Sequence, residues 1–234
     1  MFDKLLDHLP GAKVVEGQDA RQGQTLRALF IVLLVDVVGF GIVIPLLPFY
    51  AEQFGASPAV IGALFASFAA AQFFGVPVLG YLSDRWGRCP VLILSLFGSL
   101  AAFVLLALAN SLAILFLARI VDGATGGNIT TVRAAVADVT DECNRARGFG
   151  VIGAAFGIGF VIGPLLGGLL SSISYALAGW AAAALTVVAI ALVWRWLPET
   201  RPEGAEPRGL PWTEAKRLLG QHDIRRWLGV DLVW

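Results

Sequence analysis

The sequence predicts an all-α membrane protein: a bundle of six transmembrane helices. Three observations predict it. Of the 234 residues, 57% are apolar and only 15% charged, whereas soluble domains carry roughly 45–50% apolar and about 25% charged residues. The mean hydropathy is +0.77. Six apolar stretches recur, each of the ~20 residues needed to cross the hydrocarbon of a bilayer. No run of ~10 residues alternates as the strands of a membrane barrel would. With 17 basic and 17 acidic residues the formal charge is zero, so no basic surface for nucleic acid is implied, and two cysteines make no disulfide scaffold.

Residues 1–25 are polar and mixed in charge. They lack the apolar core of a cleaved signal peptide, and we expect them to form a cytoplasmic N-terminal tail. The spans are expected near Leu26–Pro48, Val60–Gly80, Val91–Ala109, Leu112–Ala137, Gly148–Leu170 and Tyr175–Trp196, giving a six-helix transmembrane domain over 26–197. Residues 198–226 are rich in proline and charge and read as a cytoplasmic central linker. Residues 227–234 begin a new apolar run, either a short amphipathic tail or the truncated start of a seventh helix.

Orientation follows from the basic residues. Lys4, Lys13, Arg21 and Arg27 precede or open the first span. Arg85 and Arg88 lie between the second and third, and Arg145 and Arg147 between the fourth and fifth. Arg195 is in the last turn of the sixth, and Arg201, Arg208, Lys216, Arg217, Arg225 and Arg226 follow it. The alternate loops, around Glu52–Pro58, Asn110–Ser111 and Ser171–Ser174, contain neither Lys nor Arg. Both termini are therefore expected in the cytoplasm.

Polar groups inside the spans are expensive, and such residues usually face the bundle interior or a water-filled path. Asp36 lies about 15 Å into the first span by the helical rise. Gln72 is in the middle of the second, and Arg119 and Asp122 are in the fourth. At 100° per residue, Arg119, Asp122, Gly123, Gly126, Thr130 and Arg133 fall on one stripe, with Asn128 opposite. That stripe is either a close-packed face with an Arg119–Asp122 pair or the wall of a hydrophilic cavity. In the fifth span Gly159, Gly163 and Gly167 share one face. Gly150, Gly153, Gly157 and Gly168 share another, which predicts close helix contact on two sides. Pro164 removes a backbone donor, so a kink is expected. The segment Gly80–Arg88 is expected to be a compact turn, serving as a topology signal or as a charge latch.

Other motifs are set aside. Gly148-Phe149-Gly150-Val151-Ile152-Gly153 spells a dinucleotide fingerprint but follows a charged loop instead of a strand. Asn128-Ile129-Thr130 matches a glycosylation acceptor but is intramembrane. Cys89 and Cys143 are expected to be reduced and unpaired. No nucleophile–base pair or metal-ligand spacing is visible, so neither an enzyme nor a cofactor or metal site is expected.

At this point the residues resemble a family. Gly80–Pro90, GYLSDRWGRCP, looks like the loop 2–3 signature of the major facilitator superfamily. Asp36–Pro48 resembles the helix 1 signature of its twelve-helix drug/proton antiporter branch. Arg119 with Gly123 and Gly126-Gly127 resembles the helix 4 signature. Gly150, Gly159, Gly163-Pro164 and Gly167-Gly168 match the helix 5 antiporter signature. Gly126–Gly150 is similar to tetracycline-type efflux proteins, although Ala102 and Arg133 stand where those exporters usually carry an acidic residue and Gln.

The resemblance implies the N-terminal half of a major facilitator fold, made of two inverted three-helix repeats. It implies proton-coupled efflux of small amphipathic drugs, including tetracycline-like ones, across a bacterial plasma (inner) membrane. The partners it implies are the substrate, protons, the lipid bilayer and a missing C-terminal half or second copy. Gly80, Asp84, Arg85, Gly87 and Arg88 would form a cytoplasmic gate. Asp36, Gln72, Arg119 and Asp122 would serve proton coupling and the cavity. The helix 5 glycines and Pro164 would set exchange direction. The alternative is a truncated, non-transporting half-transporter or membrane remnant.

Overall fold

The computed structural model describes residues 12–202, with side chains from residue 22 onward. The expectations for residues 1–11, for most of the linker and for the apolar run at 227–234 lie outside the described residues.

Helix α1 (Ala12–Val43) continues through a 3-10 turn (Ile44–Leu46) into α2 (Leu47–Glu52). Pro45 and Pro48 cause the change of pitch, since neither ring nitrogen can donate to the preceding turn. The remaining helices are α3 (Pro58–Trp86), α4 (Arg88–Ala107), α5 (Leu112–Thr125), α6 (Asn128–Val139), α7 (Arg145–Ser171) and α8 (Tyr175–Trp196). Among the described residues, six helical stretches are long and apolar enough to cross a membrane, α5 and α6 together making the fourth.

The caps follow local chemistry. The Ser57 hydroxyl accepts from the Val60 amide with Pro58 at the first helical position of α3, and the Ser174 hydroxyl accepts from the Ala176 amide at the start of α8. Tyr50 donates to the Ala109 carbonyl at 2.9 Å and stacks on Tyr175, tying α2 to the α4–α5 turn and to α8.

Helix α1 packs on α7 and α8, α3 packs on α5, and α4 packs on both α5 and α8. Exchange the first span with the fourth, the second with the fifth and the third with the sixth. The first–fifth contact then becomes fourth–second, first–sixth becomes fourth–third, and third–sixth maps onto itself. This packing is that of two three-helix repeats of opposite sense.

Two apolar clusters lie end to end along α1. One gathers Leu29, Val32, Leu33, Leu92, Leu96, Val136, Ile152 and Val193. The other gathers Ile42, Val43, Leu47, Leu64, Phe103, Leu115 and Ala182. Asp36 falls where one gives way to the other, so the polar groups form a layer across the middle of the bundle.

Two sequence expectations are corrected here. The segment Gly80–Arg88 is not a loop. Helix α3 runs on to Trp86, and Gly87 alone turns the chain at φ +108°, a conformation in which a side chain would also meet Glu199. The fourth span is not one continuous helix either. It ends at Thr125 and restarts at Asn128, across Gly126-Gly127. The proline-containing α7 stays helical from Arg145 to Ser171, through Pro164.

Candidate functional site

Helix α5 supplies Arg119 and Asp122 three residues apart, so both side chains leave one face. Arg119 is 3% exposed and Asp122 4%. The guanidinium donates to the Asp122 carboxylate at 2.7 Å and lies 4.0 Å above the Phe68 ring of α3. An ion pair and a cation–π contact together offset part of the burial cost of the charge. Nε of Arg119 has no protein partner.

The break at Gly126-Gly127 changes which residues of the fourth span face inward. Below it, Asn128 enters the bundle and its amide donates to the Asp36 carboxylate of α1 at 2.9 Å. Arg133 and Thr130, placed on the inward stripe by a straight-helix count, are exposed. The reason is geometric: two residues outside helical pairing reset the angular phase. Asn128 was therefore missed by the sequence reading, and the Gly-Gly pair was the signal that could have found it. Gly126 and Gly127 also leave room for neighbours, because a Cβ at the first would lie 3.0 Å from Gln72 and one at the second 2.8 Å from Leu79.

Asp36, Gln72, Asp122 and Asn128 thus line one pocket, with Phe40, Phe68 and Phe156 as its apolar walls. Its volume is about 60 Å³. That admits a few water molecules but is far below the ~300–1,000 Å³ of a site for a drug-sized ligand.

A second ionic cluster holds one end of the bundle. The Nε of Arg88 donates to Asp138 of α6 at 2.8 Å, and its Nη1 donates to Asp84 of α3 at 2.6 Å and to the Ser83 hydroxyl at 3.1 Å. The backbone amides of Arg88 and Cys89, free at the start of α4, donate to the two carboxylate oxygens of Glu199 at 2.8 and 3.1 Å. One carboxylate thereby serves as a helix cap from 110 residues away. Asp138 and Glu199 were not singled out from the sequence, where both read as ordinary charges near helix ends. Arg85 is not among the described partners of the cluster: its guanidinium donates to the Tyr81 hydroxyl at 3.4 Å, and its carbonyl accepts from Arg201. Gly80 has open space around it. Cys89 and Cys143 are both free thiols.

Along α7, one glycine face is in close contact. A Cβ at Gly163 would lie 2.7 Å from the Gly41 Cα, and one at Gly159 would lie 2.6 Å from Val37. Gly167 lies against the Ile42 backbone. The second face does not meet the expectation, because Gly150, Gly153, Gly157 and Gly168 have nothing within 4 Å among the described residues.

The sequence profile of the Major Facilitator Superfamily matches residues 29–233. The class B tetracycline resistance protein of Escherichia coli is 37% identical over 178 residues, 75% of this chain and 44% of that protein. The class C protein of the same organism is 42% identical over 154 residues, 63% and 39% of the two chains. Among solved structures, the human organic anion transporter MFSD10 (TETRAN) superposes with a TM-score of 0.74 at 30% identity, covering 85% of this chain and 53% of that one. The chain spans less than half the length of the tetracycline resistance proteins it matches.

Proposed function

The chain belongs to the Major Facilitator Superfamily, and from that membership we propose that it is one six-helix half of a bacterial inner-membrane exporter of small amphipathic drugs, driven by proton antiport. The observation that carries this reading is the buried polar layer: Asp36 bonded to Asn128 and Arg119 paired with Asp122, around one pocket at a helix break. Similarity to tetracycline resistance proteins supports the drug-export part. Asp36 and Asp122 supply carboxylates on which a proton or a cationic substrate can exchange, Gln72 lines the same pocket, and Arg119 is the fixed cation that pairs with Asp122. A pocket this small closes into a drug-sized cavity only against a second half, whether a C-terminal half or another copy.

In this reading the arginine-bearing ends face the cytoplasm. Gly87, Asp84 and Arg88, held by Asp138 and Glu199, form the closed latch there, with Gly80 and Arg85 at its margin. Gly159, Gly163 and Gly167 form the track on which α7 sits against α1. Pro164 lies within that track, and Gly150 and Gly168 turn toward the partner half.

The test is dye and tetracycline efflux from a drug-sensitive bacterium producing the chain with the C-terminal half of a tetracycline resistance protein. Efflux that a protonophore collapses, and that Asp36→Asn or Arg119→Gln abolishes at unchanged membrane level, is the expected result. Efflux indifferent to the protonophore removes proton coupling. No efflux in any pairing removes the transport reading and leaves a non-transporting half.

A further inference from the structure

At the arginine-bearing end of the bundle, α1 and α8 diverge around a cleft of about 670 Å³. Arg27 of α1 and Arg195 of α8 both line it, with Gln24, Thr25 and Trp196 beside them and Leu197-Pro198 at its edge. Among the described residues, none that lines it is acidic. Among the described residues neither guanidinium is engaged in an ion pair, although Arg88 and Arg119 of the same bundle are both paired. Trp196 lines the cleft and Trp194 lies two residues before it on α8, 52% and 82% exposed, as expected of tryptophans at the headgroup level of a bilayer.

Topology alone does not account for this arrangement. The orienting effect of Arg needs only charge near helix ends. It does not require two guanidinium groups from different helices to line one cavity with no carboxylate among its described residues. Planar guanidinium forks match phosphate oxygens in geometry as well as charge, and basic pockets between membrane helices are suited to anionic headgroups.

We propose that the cleft between α1 and α8 binds the phosphate headgroup of an anionic phospholipid through Arg27 and Arg195. The inference rests on the membrane location of the bundle and not on its transport activity. The acyl chains of such a lipid lie along the outer surface of α8, and its phosphate sits between the two arginines.

The experiment is native mass spectrometry of the whole 234-residue chain in detergent, offered equal amounts of phosphatidylglycerol and phosphatidylcholine. The expected result is retention of phosphatidylglycerol over phosphatidylcholine by about tenfold, lost in the R27Q/R195Q double variant. R145Q removes one charge from the same end of the bundle outside the cleft, and it is expected to keep the preference. Inorganic phosphate at millimolar concentration is expected not to displace the lipid. Equal retention of the two lipids by the unaltered chain overturns the proposal, even if the double variant fails to fold. So does a preference that survives in a folded double variant, a loss as large in R145Q, or displacement by inorganic phosphate, which would make the ligand a free anion.

Discussion

Arg88 shows how much one side chain can hold. Its guanidinium joins α3 to α6, while its backbone amide shares the Glu199 carboxylate with Cys89. The two roles separate by mutation. Glu199→Ala removes both acceptors from the first turn of α4, and about 1 kcal/mol of stability is expected to go with them. Asp138→Asn leaves a mostly buried guanidinium short of one charged partner and is expected to cost about 1–3 kcal/mol. Thermal melting in detergent reads both, and a melting point unmoved by Asp138→Asn would show that the α3–α6 tie contributes nothing. The glycines of α7 offer an internal comparison at the same scale. Gly163→Ala places a methyl group against the Gly41 backbone, and backbone cannot rotate away as a side chain can, so a loss of about 1–3 kcal/mol is expected. Gly168→Ala meets open space and is expected to stay within about 0.5 kcal/mol of the parent.

At the scale of elements, the broken fourth span decides what the site contains. Had α5 and α6 been one helix, Asn128 would have faced away from Asp36, and Arg133 would have lined the interior. The break instead gives Asp36 a partner on a different span. A double-mutant cycle tests whether the pair acts as a unit. Asp36→Asn and Asn128→Ala are each expected to destabilise, and the double variant to cost less than their sum by about 0.5–3 kcal/mol. Strict additivity in melting would separate the two residues. This element also marks the limit of what the sequence makes legible. Apolar length places all six spans, and the sixth has the same ends in the structure, Tyr175–Trp196. The Arg119–Asp122 pair follows from spacing on one turn. Asn128 does not, because helical phase carries across a Gly-Gly pair only if the helix does. Asp138 and Glu199 do not either, since their partners lie about 50 and 110 residues away and no local pattern encodes such separations.

At the scale of the whole molecule, the packing leaves two spans under-covered. In its most apolar stretch α3 is 6% buried and α7 22%, against 56% for the first span. Phe73 and Phe74 of α3 and Val161, Leu165 and Leu169 of α7 stand outward. By the contact symmetry of the bundle α3 and α7 are equivalent elements of the two repeats, so the same element of each repeat is left uncovered. Lipid covers apolar surface at no cost and would explain large residues there. It does not explain glycines at 150, 153, 157 and 168 with nothing opposite them, because glycines in membrane helices serve close approach of another helix. A second half docking on α7, as proposed above, would supply that helix. Single cysteines at positions 73 and 165, in a chain with Cys89→Ser and Cys143→Ser, are expected to react with a maleimide once the chain, produced alone, is solubilised in detergent, where water reaches the thiols and lets them ionise. Both are expected to be shielded when the complementary half is present. A cysteine at position 194 on α8 is expected to react equally in both cases. Unchanged labelling at 73 and 165, where the two halves co-purify, would place the second half elsewhere and leave the glycines of α7 facing lipid.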